Sequence, residues 1–369
     1  MKKAVIILPT YNEKGNIENL IHQIVKIRQM VENWDIYILV VDSLSDDGTK
    51  EAVLKLQKKF SFLHLISTKK EGLGRAYIAG FKYAIDNLSP YILFEMDADL
   101  SHDPKEIPNF LKKIEKGADF VVGARYIRGG SIPKNWELHR KILSILANLV
   151  IKFGFMKLKI HDWTSGYRAI KTWLAKEALF YIKNYSGYVF QVAFLDFVVK
   201  KGAIVDEVPI KFKERKWGIS KINAFQYIWQ TLIYVFLNSS FIKFVIVGTI
   251  GFLIDFGISF LLIEKLHQLV WVSTLISTEM AIISNFLLNN FWSFSHKKIN
   301  SDFKSYFLSF IKFNLVSSGS ILIQTGGIQT LAILFSKNYW YIYKIFIIIF
   351  VIIPYSYFLY NKVVWKEKK

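Results

Sequence analysis

The chain has no cysteine among its 369 residues. Disulfides and thiolate metal centres are therefore excluded, and nothing asks for an oxidising compartment, which suits a protein facing the cytoplasm. Acidic residues are also scarce: 29 Asp and Glu against 48 Lys and Arg leave a net charge of +19. Such an excess fits nucleic acid, anionic lipid or small anionic substrates. Because the basic residues gather beside apolar helices, a membrane surface is favoured and nucleic acid is not expected as a partner. A secretory signal is not expected either. Met1-Lys2-Lys3 leads into the apolar run Ala4-Val5-Ile6-Ile7-Leu8, which is too short and is stopped by Pro9-Thr10-Tyr11-Asn12-Glu13.

What the chain has is apolar length. Hydrophobic residues make up 52% of it and the mean hydropathy is +0.27. That is high for a purely soluble enzyme, and the length allows two or three domains. Up to about residue 125, short β-branched runs alternate with helical stretches. This rhythm predicts βαβ units and an α/β, mostly parallel, Rossmann-like sheet. Strands are expected at Ala4 to Leu8, Tyr37 to Val41, Leu63 to Ser67, Tyr91 to Met96 and Phe120 to Ala124. Helices are expected at Ile17 to Met30, Thr49 to Phe60, Gly74 to Asn87 and Pro104 to Lys116, the last entered through the cap Asp103-Pro104. Ligands of open sheets bind beyond the carboxyl ends of strands. Here those ends carry Pro9 to Glu13, Asp42 and Asp97-Ala98-Asp99.

Residues 134 to about 158 are basic at first and increasingly apolar, the pattern of a helix lying in the membrane interface. Phe225 to Leu237 reads the same way, and ordinary packing is the alternative for both. Beyond residue 240 come apolar blocks suited to spanning helices: Phe241 to Ile263, Leu269 to Phe291, Tyr306 to Phe335 and Tyr339 to Tyr360. The third is too long for one crossing and is expected to be trimmed at both ends. His296, Lys297, Lys298 and Lys304, and the tail Lys362, Lys366, Lys368 and Lys369, place those segments and the N-terminal domain in the cytoplasm. Trp292, Trp340 and Trp365 read as interfacial aromatics at span ends. Asp255 and Glu279 are unusual inside spans, with Asn285, Asn289 and Asn290 as partners across helices, and helix association is favoured over transport. The expected domains are 1–224, an interfacial linker at 225–238, and an all-α four-helix membrane domain at 239–369.

The chemistry centres on Met96-Asp97-Ala98-Asp99-Leu100-Ser101-His102. Two carboxylates after a strand can hold a divalent cation against a diphosphate, since Mg²⁺ and Mn²⁺ take few protein carboxylates and leave other positions to water and phosphate. Alone, the pair is more often a solvated strand-end loop than a metal site. Tyr11 can stack on a base and Glu13 can accept from base or ribose, but the segment is equally a strand-to-helix connection capped by Asn12 or Asn16. Asp42 is placed to accept from a nucleotide, whereas Asp47-Gly48 reads as a turn and helix start. His102 and His161 read as structural, and Trp163 and Tyr167 either shape an acceptor site or pack.

The segments PTYNE, VVD with DGT, KKEGLGRAYIAGF, MDADLSHDP, GARYIRGG, TSGYRAIK and EVPIKFKERKWGISK, in this order, resemble family 2 glycosyltransferases of the GT-A fold. Within that family the chain resembles dolichyl- or polyprenyl-phosphate mannose synthases with a C-terminal GtrA-like membrane domain. The resemblance implies that Pro9, Tyr11, Glu13, Val41 and Asp42 line the nucleobase and ribose. It places Asp97 and Ala98 by the ribose and diphosphate, Asp99 and Ser101 at the metal, and Arg125 near the transferred sugar. Arg215 and Lys221 would clamp the diphosphate from a loop hinged at Gly218, and Arg140 and Ser144 would receive the acceptor phosphate. Two departures stand out: Ser43 replaces a common Asp, and Ser101 replaces a common amide. The implied reaction takes mannose from GDP-mannose to dolichyl or polyprenyl phosphate with Mg²⁺ or Mn²⁺, by single displacement with inversion. A UDP-sugar donor, a lipid-linked sugar flippase and a partner-binding membrane module are the alternatives.

Overall fold

The computed structural model describes residues 1–185, 187, 189–214, 224–299 and 302–366. It divides into two compact units, Met1–Val235 and Phe236–Lys369. The division falls inside the segment read from sequence as a linker.

The first unit is built on a seven-stranded sheet. Its strands are β1 (Lys2–Thr10), β2 (Trp34–Asp42), β3 (Leu63–Ser67), β4 (Ile92–Glu95), β5 (Phe120–Ala124), β6 (Arg168–Lys171) and β7 (Val205–Pro209). They lie in the order β3-β2-β1-β4-β6-β5-β7, all parallel except β6, which runs antiparallel to both neighbours. The five expected strands are present. The order reverses between β1 and β4, so the loops leaving these two strands flank a crevice of the kind that binds ligands.

Ala4 to Leu8 are wholly buried, as befits a strand covered on both faces. On one face α1 (Lys14–Met30) packs its stripe of Ile17, Leu20, Ile21, Ile24 and Ile27 into the core. On the other lies α3 (Leu73–Leu88), where a Cβ on Gly80 would come within 2.6 Å of Ile7 Cγ2. Only glycine lets this helix settle so closely on β1. The remaining helices between strands are α2 (Thr49–Gln57) and α4 (Ile107–Glu115). Asp103 caps as expected, accepting from the Lys105 N–H at 3.1 Å, but Pro104–Glu106 forms a 3₁₀ turn before α4 begins.

Residues 125–167 form one long excursion between the neighbouring strands β5 and β6, and it carries α5 (Leu138–Gly154). This helix matches the first interfacial segment and leaves Leu138, Ile142, Ile145, Leu146, Leu149 and Phe153 exposed. After β6 come α6 (Thr172–Ile182), α7 (Val189–Lys200) and α8 (Ala224–Asn238). The Tyr234 hydroxyl donates to Asp196 at 2.7 Å and meets the Tyr181 hydroxyl at 2.7 Å, which fixes α8 to α7 and α6.

The second unit has four helical stretches long and apolar enough to cross a membrane: Ser240–Lys265, Val270–Ser293, Phe303–Leu334 and Lys337–Val364. Each end lies within about four residues of expectation, with one correction. The third is not trimmed but runs 32 residues without a break, about 48 Å at 1.5 Å per residue. The partners of Asp255 also differ. Its carboxylate accepts from Ser277 at 2.6 Å and Thr278 at 3.2 Å, not from an asparagine. Asn290 instead donates to the Tyr306 hydroxyl at 2.8 Å and accepts from Trp365 Nε1 at 3.1 Å. Trp365 is accordingly buried against Phe294 rather than interfacial, whereas Trp292 and Trp340 are exposed.

Candidate active site

β4 is a four-residue strand ending in a carboxylate, and the chain then turns back on itself through Leu100, whose φ is +64°. Two hydrogen bonds fix this loop. The Asp97 N–H donates to His102 Nδ1 at 3.1 Å, and the Ser101 N–H donates to Asp99 Oδ1 at 3.0 Å. Asp99, Ser101 and His102 are buried, whereas the Asp97 side chain is 29% exposed. Burial, partly opposed by Asp99, pushes His102 down to about 4, so its ring is neutral and carries its proton on Nε2. It stacks on Tyr167 at 4.9 Å and organises the loop.

This loop forms one wall of a cavity of about 420 Å³. Asp97, Asp99, Arg125, Arg140, Ser144 and Gln191 are among its lining residues. The structure thus brings five of the residues singled out in the sequence around one space. Arg140 and Ser144 sit one turn apart on α5 and so share a face. Arg140 lies 4.0 Å above the Trp136 ring, and Ser144 Oγ is 2.6 Å from the Tyr126 hydroxyl.

Arg125 follows β5, and its guanidinium is held by Asp162. Nε and Nη2 donate to the two carboxylate oxygens at 2.7 and 2.8 Å, Nη2 also reaches Thr164 Oγ1 at 2.7 Å, and the Arg125 N–H donates to Asp162 at 3.0 Å. Asp162 is wholly buried and also accepts from the N–H of Ser165 at 3.1 Å. Burial works against the Arg125 charge, and Asp162 more than offsets it, raising the guanidinium above its ordinary range. A permanent cation is thereby set into the cavity wall.

Beneath the cavity lies a second buried pair. Arg168, at the start of β6, donates to the carbonyls of Ser165, Gln191 and Trp163 at 2.8, 2.8 and 3.1 Å, and its Nε stands 3.8 Å from Glu95. Burial lifts the Glu95 carboxyl to about 7 against the pull of Arg168, with the Gln191 amide adding a weaker pull. Gln191 makes no side-chain hydrogen bond of good geometry among the described residues, although it is 1% exposed.

Asp162, Arg168, Gln191 and Glu95 were not singled out in the sequence. A lone amide in the apolar run Val189-Phe190-Gln191-Val192-Ala193 and a lone carboxylate closing Ile92-Leu93-Phe94-Glu95 were the available signals.

The residues assigned to the base and ribose lie apart from the cavity lining, on and after β1 and β2. Val41 is wholly buried and packs. Asp42 is wholly buried too, and its carboxylate accepts from Thr10 Oγ1 at 3.1 Å, the Ser45 N–H at 3.0 Å and Ser45 Oγ at 2.5 Å. Asp42 thus anchors the turn that follows it. Pro9 and Tyr11 are half-buried, Tyr11 with the Lys70 ammonium 3.7 Å above its ring, and Glu13 accepts from Asn16 at 2.8 Å. Ala98 is buried beside Asp97 and Asp99. Asp47 accepts from Thr49 and from the Lys14 N–H, as a turn residue does. Trp163 and Tyr167 are buried and pack, and His161 pairs with Glu207 at 2.7 Å. Arg215 and Lys221 lie outside the described residues.

The donor set suits a hard divalent ion. Asp97 and Asp99 supply carboxylate oxygens, and the buried Ser101 hydroxyl has no hydrogen-bond partner among the described residues. Those residues hold no group of three or more His, Cys, Asp or Glu placed around a metal. Phosphate oxygens and water would therefore have to complete the coordination.

Residues 5–192 match glycosyl transferase family 2, and residues 243–365 match the GtrA/DPMS transmembrane domain. The chain is 31% identical over 329 residues to a dolichol-phosphate mannosyltransferase of Pyrococcus furiosus, covering 87% of this chain and 88% of that one. It is 36% identical over 227 residues to a polyprenol monophosphomannose synthase of Mycolicibacterium smegmatis, covering 60% of this chain and 82% of the relative. A similar match, 36% over 223 residues, covers 60% of this chain and 88% of an undecaprenyl-phosphate mannosyltransferase of Micrococcus luteus. The chain therefore belongs to glycosyl transferase family 2, as a membrane-bound glycosyltransferase whose catalytic unit is followed by a GtrA/DPMS transmembrane domain.

Proposed function

We propose that this enzyme transfers mannose from GDP-mannose to a dolichyl or polyprenyl phosphate at the cytoplasmic face of a membrane. The relatives' names carry both the mannose and the lipid phosphate. The observation that carries the reading is the shared cavity. Arg140 and Ser144 line it from a helix whose outer side is apolar and exposed, and Asp97, Asp99 and Arg125 line it from the sheet. A lipid held by that helix can present its phosphate beside the carboxylate pair while its chain stays out of water. The positive segments at 296–304 and 362–369 support the cytoplasmic orientation.

The chemistry then needs little acid–base work. A lipid phosphate is already anionic, so its oxygen attacks the anomeric carbon while the bond from that carbon to the nucleoside diphosphate breaks. The electron pair leaves with the diphosphate, and the configuration inverts. Positioning and charge stabilisation supply the rate. Arg140 draws in the acceptor phosphate, Ser144 orients it, and Arg125 offsets negative charge from the end of β5. Asp97, Asp99 and Ser101 would hold Mg²⁺ or Mn²⁺, which when bound neutralises the leaving diphosphate. Arg215 and Lys221 are proposed to add cations to the same group. Pro9, Tyr11 and Glu13 are proposed to bind the base and ribose.

The test is membranes carrying the protein, incubated with labelled GDP-mannose or UDP-glucose, a polyprenyl phosphate and Mg²⁺ or Mn²⁺. A β-linked mannolipid should form, be lost in Asp99→Ala, and show a raised KM for the lipid phosphate alone in Arg140→Ala. A glucolipid would reassign the donor. A retained anomer would sink the single displacement, and no product from either donor would overturn the reading.

A further inference from the structure

Among the exposed ionisable residues inside the spans of the second unit, Glu279 and Lys344 carry opposite charge and have no partner among the described residues. Glu279 lies in the second span and Lys344 in the fourth. Both are exposed, and neither makes a side-chain hydrogen bond or ion pair among the described residues. Asp255, by contrast, is accounted for by the hydroxyls of Ser277 and Thr278. A charged group facing hydrocarbon is costly, and such residues ordinarily pair with one another or with backbone.

Their depths match. The second and fourth spans are both even in chain order, so they cross in the same direction and start from the same membrane surface. Glu279 comes nine residues after Val270 and Lys344 seven after Lys337. At 1.5 Å per residue they lie roughly 13 and 11 Å below that surface. The difference is smaller than the reach of a lysine side chain. Lys312, the exposed cation of the third span, is counted from the opposite surface, about 13 Å in and so roughly 17 Å from the surface of Glu279 in a core of about 30 Å, and it is the alternative that cross-linking separates from Lys344. Around Glu279 the same helix face shows Ile276, Met280, Ile283 and Leu287, all exposed and apolar. One carboxylate in an apolar face, and one ammonium at its depth on another exposed helix, form a self-complementary pair of patches.

We propose that the partner is a second copy of this chain, with Glu279 of one protomer paired to Lys344 of the other. In a two-fold dimer the contact occurs twice, because each protomer offers both groups. The pairing removes two unmatched charges per protomer from lipid and fixes which helices meet. It is independent of the transfer reaction, since neither residue belongs to the catalytic unit.

The absence of native cysteine makes the test direct. Two differently tagged full-length chains, one Glu279→Cys and the other Lys344→Cys, are expressed together and oxidised in native membranes. A reducible heterodimer carrying both tags is expected, well above the homodimer formed by either chain alone. In detergent, Glu279→Lys should weaken self-association at least tenfold, and adding Lys344→Glu should restore it. A dominant 279–279 or 279–312 cross-link would overturn the pairing, as would a wild-type chain that stays monomeric in membranes with no 279–344 product. Mannolipid synthesis measured alongside reports folding of the catalytic unit.

Discussion

Replacing Asp162 by asparagine keeps the shape of the residue and removes the charge that holds Arg125. In the wild type the carboxylate accepts from Arg125 Nε, Nη2 and N–H and from the Ser165 N–H, at 2.7 to 3.1 Å. An amide presents a donor where one guanidinium N–H now donates, so one charge-assisted bond is lost outright and another becomes neutral. Bonds to charged groups contribute about 1.5–3 kcal/mol each. Leaving one partner of a buried ion pair uncompensated costs about 3–5 kcal/mol. The two routes agree on a destabilisation of roughly 3–4 kcal/mol, which for a unit of this size corresponds to a fall in Tm of about 10 °C. The assay is thermal unfolding of purified protein followed by tryptophan fluorescence, beside lipid-mannose synthesis at a temperature where the variant stays folded. Activity should also fall, because Arg125 loses the contacts that set it in the cavity wall. A double variant with Arg125→Met should be less destabilised than the sum of the single changes, since the unmatched charge is then gone. An Asp162→Asn protein within 1 kcal/mol of wild type, or strict additivity in the double variant, would refute the argument.

Two further outcomes are expected. Glu95, whose folded carboxyl is raised to about 7 from 4.5, is stabilising below pH 4.5 and loses that stabilisation as pH rises through 7. Glu95→Gln should therefore remove a fall in stability of order 2–3 kcal/mol between pH 5 and 8, read by thermal denaturation across that range, and an unchanged pH profile would contradict it. Gln191→Leu removes an amide that lines the cavity and makes no side-chain hydrogen bond of good geometry among the described residues. Stability should hold or rise while kcat/KM for the sugar donor falls about 10-fold or more, as expected for a lost bond to a polar ligand, and unchanged kinetics would mark the residue as packing alone.

The parallel part of the sheet was legible because β1 and β2 carry continuous apolar runs, and the strands are separated by helices with clear periodicity. β6 was not, because Arg168-Ala169-Ile170-Lys171 is four residues with a cation at each end, and its antiparallel pairing breaks the βαβ rhythm. Arg168 reads as a solvated charge until the three carbonyls it satisfies are seen. The Asp97 to His102 loop was legible because it is local in sequence, whereas Arg140 and Ser144 were reached only through the family resemblance. Asp162 was hidden, since its partner lies 37 residues away and the pair exists only once β5 and β6 lie side by side. The internal bonds of Asp42 were hidden for a related reason: Thr10 lies 32 residues before it and meets it only once β1 and β2 pair.

The excursion between β5 and β6 leaves and re-enters the sheet at neighbouring strands, and its two ends are clasped by Arg125 and Asp162. Everything α5 presents to the cavity is borne on that one closed segment, whereas the carboxylate pair comes from the loop after β4. The two walls can therefore diverge separately. On the proposed reading, substitutions along 126–161 would retune which lipid is accepted while the sheet and its metal-suited loop stay intact. A swap of that segment between relatives, cut at the clasp, is the natural place to exchange acceptor preference without rebuilding the donor side.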